Sequence, residues 1–372
     1  MKISCDRITL TDRVSFCLGA VASKSTIPAL EGIFLNAADG VITLTGYDLE
    51  IAIKTSMEAE VKDEGGIVLN GRMFSDILKS LPDEQVVIES DERYLTTITC
   101  GKSLFTIIGI PAEDFPELQK VEGEKSFVLP QGILKSMISE TLFAVSMNEN
   151  KPVQMGCLFD ISKGFLNVVA VDGFRLALRR EGIGSITELG ELSFVVPGST
   201  LKQIERILND NDEQVELILS QKNMSFLIDK TLIVARLLEG DFINYKNVIP
   251  KSVDIEVRTS VKNLQLSVDR VALIVNERLK NPVKMTVGYD TIKLSCTTAV
   301  GQSYDECPSA GNGGDIEIGF NSRYLLDALK AIRDEEVVLR MTNPLSPCLF
   351  YPVEGDKFLY LILPVRLRAG DA

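Results

Sequence analysis

The sequence predicts an α+β fold of three tandem domains, each internally doubled, with two helices packed on antiparallel sheets. Three observations predict it. A pattern of proline, strand, glycine turn, strand, aspartate corner and strand occurs twice in full and a third time in weaker form. A strand leading into a short amphipathic helix follows each copy, and a further pair of strands follows each helix. The domains are expected at 1–122, 127–250 and 253–372.

Pro28, Pro152 and Pro282 open the three copies, a period of about 125–130 residues. In the first, a stretch ending Ile33-Phe34-Leu35 precedes a turn at Asp39-Gly40, and a strand from Val41 reaches a corner at Asp48. In the second, Lys163-Gly164 makes the turn and Val171-Asp172-Gly173-Phe174-Arg175-Leu176 the corner, where glycine accepts positive φ without steric cost. In the third, Gly288-Tyr289-Asp290 joins strands at 283–287 and 291–296. Apolar residues at i, i+3 and i+4 predict an opening helix in each unit, over 12–22, 131–143 and 261–275. They predict a second helix over 71–81, 199–208 and 321–332, with Ser199 and Asn321 as N-caps. Matching linkers, Asp114-Phe115-Pro116-Glu117-Leu118 and Asp241-Phe242-Ile243-Asn244-Tyr245, leave the first two units.

A chain of 372 residues, 45% hydrophobic and 24% charged, can build several cores. It has no apolar run of the ~20 residues that would span a bilayer. Its polar, charged first residues lack the apolar stretch of a signal peptide, so a cytoplasmic protein is expected. The seven scattered cysteines form no C-x-x-C pair and read as reduced thiols. The absence of histidine excludes Ser-His-Asp and Cys-His catalysis and His-ligated zinc. No G-x-x-x-x-G-K-[ST] is present, and 209–213 lacks the glycine and glutamate offsets of a calcium loop. No metal, cofactor or catalytic residue is expected.

A net charge of −13 argues at first against a nucleic-acid partner. Its placement argues otherwise. The six predicted helices with their flanks hold +6, which leaves −19 on strands and loops. Six equivalent helices would offer one basic surface to a polyanion, and the acidic remainder would repel it.

The threefold repeat, the Val171–Leu176 motif, the linker at 241–245 and the ending Leu361-Ile362-Leu363-Pro364-Val365-Arg366-Leu367 together resemble the bacterial DNA polymerase III β subunit family, the sliding clamps. The resemblance covers essentially the whole chain. It implies a head-to-tail homodimer forming a six-domain ring, with helices lining a hole around duplex DNA. It further implies tethering of the replicative polymerase, the clamp loader and other proteins bearing clamp-binding motifs, and no membrane partner. A three-repeat protein scaffold without DNA encirclement is the alternative.

Carried over by position, the resemblance implies sequence-independent DNA contacts at Lys24, Arg72, Lys79, Lys151 and Lys202. Gly198 and Ser199 stand where basic residues are usual in the family. It implies a partner-peptide pocket formed by Gln154, Val171, Gly173, Phe174, Arg175, Leu176, Ile243, Val248, Leu279, Asn321, Tyr324, Leu345, Leu361, Ile362, Leu363, Pro364, Val365 and Arg366. Gln154, Phe174 and Ile243 replace a usually aliphatic residue, a histidine and a proline, and residues 368–372 extend past the usual end. It implies a dimer joint where Phe105 and Ile107 of one chain meet Leu273 and Ile274 of the other.

Overall fold

The computed structural model describes residues 1–118, 123, 125–184, 189–276 and 281–367. Leu279 and the terminal residues 368–372 lie outside the described residues. Contacts group the chain into two units, Met1–Lys135 with Lys202–Leu237, and Ser136–Leu201 with Leu238–Ala372. The central repeat therefore contributes to both, and sheet pairing accounts for it. In the first unit, strand Thr231–Arg236 of the central repeat pairs antiparallel with Ile51–Glu58 of the first, Thr231 opposite Thr55. In the second unit, strand Arg175–Gly182 pairs with Phe358–Ile362 of the third repeat, Arg175 opposite Ile362.

The first unit holds a five-stranded sheet, ordered 60–63, 2–6, 85–90, 95–100, 103–108, and a nine-stranded sheet. The second holds twelve strands in one series. Every strand pairing among the described residues is antiparallel. The predicted turns form. Asp39-Gly40 and Lys163-Gly164 both have two successive positive φ values, the type I′ geometry that follows strand twist.

Six α-helices occur among the described residues: α1 Arg7–Cys17, α2 Gly71–Ser80, α3 Gln131–Ser139, α4 Gly198–Ile207, α5 Val261–Ala272 and α6 Ser322–Ala331. The opening helix starts five residues before the predicted 12–22. Asp6 caps it, accepting from the Thr9 N–H at 2.7 Å. α3 ends at 139, not 143, and α5 at 272, not 275. After α3 the Thr141 hydroxyl donates back to the Met137 carbonyl and the chain tightens into a 3-10 turn, Leu142–Ala144. Asn321 caps α6 as expected, but Ser199 is no cap, because α4 already begins at Gly198. α2 buries Phe74, Ile77 and Leu78 and leaves Arg72, Asp76 and Lys79 in water. Within these bounds each helix carries net +1, so the helices still hold +6 of a total of −13.

All seven cysteines are free and buried, and burial pushes the Cys5, Cys17 and Cys157 thiols up to about 12. No described helix is long and apolar enough to cross a membrane.

The two aspartate corners are built alike. Asp172 Oδ1 accepts from the Phe174 and Arg175 N–H groups at 2.9 and 3.1 Å, and Asp48 Oδ1 from those of Glu50 and Ile51 at 2.9 and 2.8 Å. The residue after each aspartate sits at positive φ, +92° at Gly173 and +78° at Leu49. Leucine there carries a Cβ clash that glycine lacks, about 1–2 kcal/mol before glycine's greater unfolded-state entropy is subtracted. Leu49→Gly is therefore expected to stabilise the protein by about 0.5–1 kcal/mol, and Gly173→Ala to destabilise it by a similar amount. Urea midpoints compare the two; a lowered midpoint for Leu49→Gly would contradict the strain.

Candidate functional site

The corner at Asp172 positions the first surface of interest. The Asx turn directs Phe174 outward, 58% exposed. Its ring stacks on Tyr324 of α6, centroids 6.2 Å apart and planes at 23°. The Phe174 carbonyl accepts from the Leu363 N–H at 2.9 Å, which brings the C-terminal run alongside. Beneath the ring, buried Arg175 bonds Asp172 at 2.9 Å and Asp327 of α6 at 2.6 Å, and its guanidinium lies 4.5 Å from the Tyr324 centroid. The corner and α6 are thus locked by two half-buried carboxylates on one buried cation. Arg175→Ala would strand both carboxylates, and a loss of about 3 kcal/mol is expected. Chemical denaturation measures it; a change below about 1 kcal/mol would show that the pairing is not structural.

These residues bound a cavity of about 470 Å³, lined by Phe174, Asn321, Tyr324, Leu363, Pro364 and Val365 among the expected positions. Val275, Asn281, Pro282, Ser322 and Arg323 complete it and were missed, since only the fold brings the residues before the third repeat's strands against α6. Val171, Leu176, Leu361 and Ile362 do not line this cavity. They are buried core, the first three in one apolar cluster with Tyr245 and Leu349. Leu363 joins the two regions, packing on that cluster and lining the cavity. Ile243, Val248, Leu345 and Val365 are exposed apolar side chains, and Arg366 is exposed. Gln154 is half-buried with its Oε1 unpartnered.

The expected DNA cations are all exposed, and none makes an ion pair among the described residues. Lys24 and Lys151 lie off the helices; Lys24 precedes the 3-10 turn Pro28–Glu31, because α1 ends at Cys17. Arg72 and Lys79 are seven apart on α2 and share a face. The equivalent of Lys79 is Arg206 on α4 and Lys330 on α6, both exposed. This recurring cation went unnoticed in the sequence because α4 starts one residue earlier than predicted. Other helix cations are engaged: Arg13 with Asp229, Arg270 with Asp305, Arg323 with Asp327. Gly198 has a packing reason. A Cβ there would meet the Met155 carbonyl at 3.0 Å, a tight contact that a side chain would have to push aside.

Two strand edges, one in each unit, are left without a partner among the described residues. Strand Ser103–Ile108 ends the five-stranded sheet of the first unit. Phe105 is exposed and Ile107 half-buried, but Leu104 and Ile108 are more open, 64% and 76% exposed. In the second unit, strand Gly301–Gly311 pairs along its length with Thr291–Thr298 and, on its other side, with Ile255–Ser260 only through Ser309–Gly311. Beside it on α5's end stand Leu273, 83% exposed, and half-buried Ile274.

Three models of the DNA polymerase III beta subunit match in chain order: the N-terminal domain over residues 1–119, the central domain over 128–244 and the C-terminal domain over 246–366. The beta sliding clamp of Halalkalibacterium halodurans is 32% identical over 98% of this chain and all of its own length. That of Staphylococcus aureus is 31% identical over 98% of this chain and 99% of its own. The crystal structure of the Bacillus subtilis DNA polymerase sliding clamp superposes with TM-score 0.94 at 31% identity, covering 99% of this chain and all of that one. A Pseudomonas aeruginosa sliding clamp bound to griselimycin gives 0.93 at 28%, with the same coverage. With its three repeats matched in order and its fold shared almost end to end, the chain belongs to the DNA polymerase III beta subunit family.

Proposed function

We propose that this chain is a DNA sliding clamp that pairs head to tail with a second copy and encircles duplex DNA. In this reading it holds the replicative polymerase, the clamp loader and other motif-bearing proteins at the template. The domains are placed at 1–122, 127–250 and 253–372, which the three matched segments support. The observation that carries the reading is an exposed cation at one helical position in all three repeats, Lys79, Arg206 and Lys330, on a chain otherwise strongly acidic. Weak phosphate contacts of this kind fix no sequence and permit sliding. A tethered polymerase then sees its primer at high effective concentration. The role is non-catalytic and cytoplasmic and needs no cofactor. The apolar edge 103–108 pairs with the largely polar edge 301–308 across each joint, with Phe105 and Ile107 meeting Leu273 and Ile274. The Phe174–Tyr324 cavity takes an apolar side chain of the partner peptide.

Loading onto nicked circular plasmid tests encirclement. The protein should co-elute with circles and be lost when the plasmid is linearised; equal retention on both would refute it. Reversing Arg72, Lys79, Arg206 and Lys330 to glutamate is expected to flatten the salt dependence of DNA binding, by about 0.9 in log–log slope per phosphate contact removed. An unchanged slope would place the contacts elsewhere.

A further inference from the structure

The corner that carries the peptide cavity has a twin in the first unit, and the twin also opens onto a pocket. The correspondence is set by hydrogen bonds. Asp172 N–H donates to the Arg175 carbonyl at 3.3 Å, and Asp48 N–H to that of Ile51 at 3.2 Å. The Phe174 carbonyl accepts from the Leu363 N–H at 2.9 Å, and the Glu50 carbonyl from the Arg236 N–H at 2.9 Å. Glu50 thus stands for Phe174, Leu49 for Gly173, and Arg236 for Leu363. The pocket there is about 370 Å³. Its apolar lining is Tyr47, Leu49, Ala52, Leu118 and Val234, and its charged lining is two cations, Lys222 and Arg236, with one carboxylate, Glu50.

Two observations separate this pocket from a leftover of duplication. Leu49 holds a left-handed backbone conformation, φ +78°, that glycine fills at the twin corner, and its side chain lines the pocket while half exposed. Folding alone favours glycine there, so the side chain answers to something else. The lining charge is also net positive, two cations against one carboxylate. Lys222 is exposed and has no ion pair among the described residues. Arg236 meets only Glu50, at 3.6 Å with both groups more than half exposed, a contact worth little and easily exchanged.

We propose that this pocket is a second peptide-docking site, whose occupant is a short extended acidic segment of a partner protein. An aliphatic side chain sits among Leu49, Leu118 and Val234, and a neighbouring carboxylate bridges Lys222 and Arg236. The proposal rests on the reading of the Phe174–Tyr324 cavity as a peptide site. It differs in ligand chemistry, since cations replace the aromatic stack.

Methyl NMR on the full-length protein tests it, in a Phe174→Asp background that disables the first cavity. The probe is acetyl-Glu-Leu-Asp-Leu-amide, with the charge-reversed acetyl-Lys-Leu-Lys-Leu-amide as control. Saturable shifts are expected at the Leu49, Leu118 and Val234 methyls with the acidic probe only. Affinity should fall at least tenfold when Lys222 and Arg236 are both changed to glutamate, and also in Leu49→Gly, whose fold is not weakened. Absence of these shifts, or equal shifts with the basic probe, overturns the proposal. In the unmutated protein the Leu363 and Val365 methyls report on the first cavity separately; their silence alone would count against that cavity's reading and not against the second site.

Discussion

Phe174→Asp is expected to weaken binding of a clamp-binding peptide at least 30-fold while leaving assembly and stability unchanged. The ring of Phe174 is 58% exposed and forms one wall of a cavity of about 470 Å³ with Tyr324 stacked behind it. An aromatic wall of this kind is an anchor position, where truncation costs about 2–4 kcal/mol of binding. A carboxylate there replaces apolar contact with a group that must be desolvated, so the upper end of that range applies. The fold itself loses little, because exposed side chains change stability by about 0.5 kcal/mol or less. The backbone hydrogen bonds of the corner involve Asp172 and the Phe174 main chain and survive the change. Fluorescence anisotropy with a labelled peptide, beside a solution mass, separates the two effects. Unchanged affinity would remove the cavity from peptide binding.

Leu273→Asp is expected to halve the solution mass to the 40.9 kDa of one chain. Leu273 is 83% exposed in the isolated chain, and the opposing edge presents Leu104, Phe105 and Ile108. An unpaired apolar edge with no charge or proline along it invites pairing. In a head-to-tail ring the same substitution falls in both joints. With about 2–4 kcal/mol lost at each, the dimer should weaken by a factor on the order of 10³ or more. Ile108→Asp on the complementary edge should do the same, and both variants should lose retention on circular DNA. Light scattering that still shows a dimer for both would disprove the joint.

The corner at Asp172 was legible in the chain because its chemistry is local. A short carboxylate bonds N–H groups two and three residues on, and glycine takes the positive φ. The partner of Arg175 was not legible. Asp327 lies 152 residues away, and nothing in either neighbourhood names the other. The start of α1 was read five residues late, because Asp6 caps it well before the apolar periodicity becomes clear. Leu104 and Ile108 were passed over because an apolar run, SLFTII, does not say by itself whether a neighbouring strand covers it.

The residues by themselves determined the threefold repeat, the hairpin turns, the amphipathic helices and the separation of basic helices from an acidic remainder. These follow from φ preferences, side-chain periodicity and formal charge, which act over a few residues. Only the tertiary structure decided that Val171, Leu176 and Leu361 are core while Phe174 and Leu363 line a cavity. It alone matched Arg236 to Leu363 and left two sheet edges open. Burial and edge exposure depend on which distant strands pair, and the free energy of that pairing is shared over whole sheets.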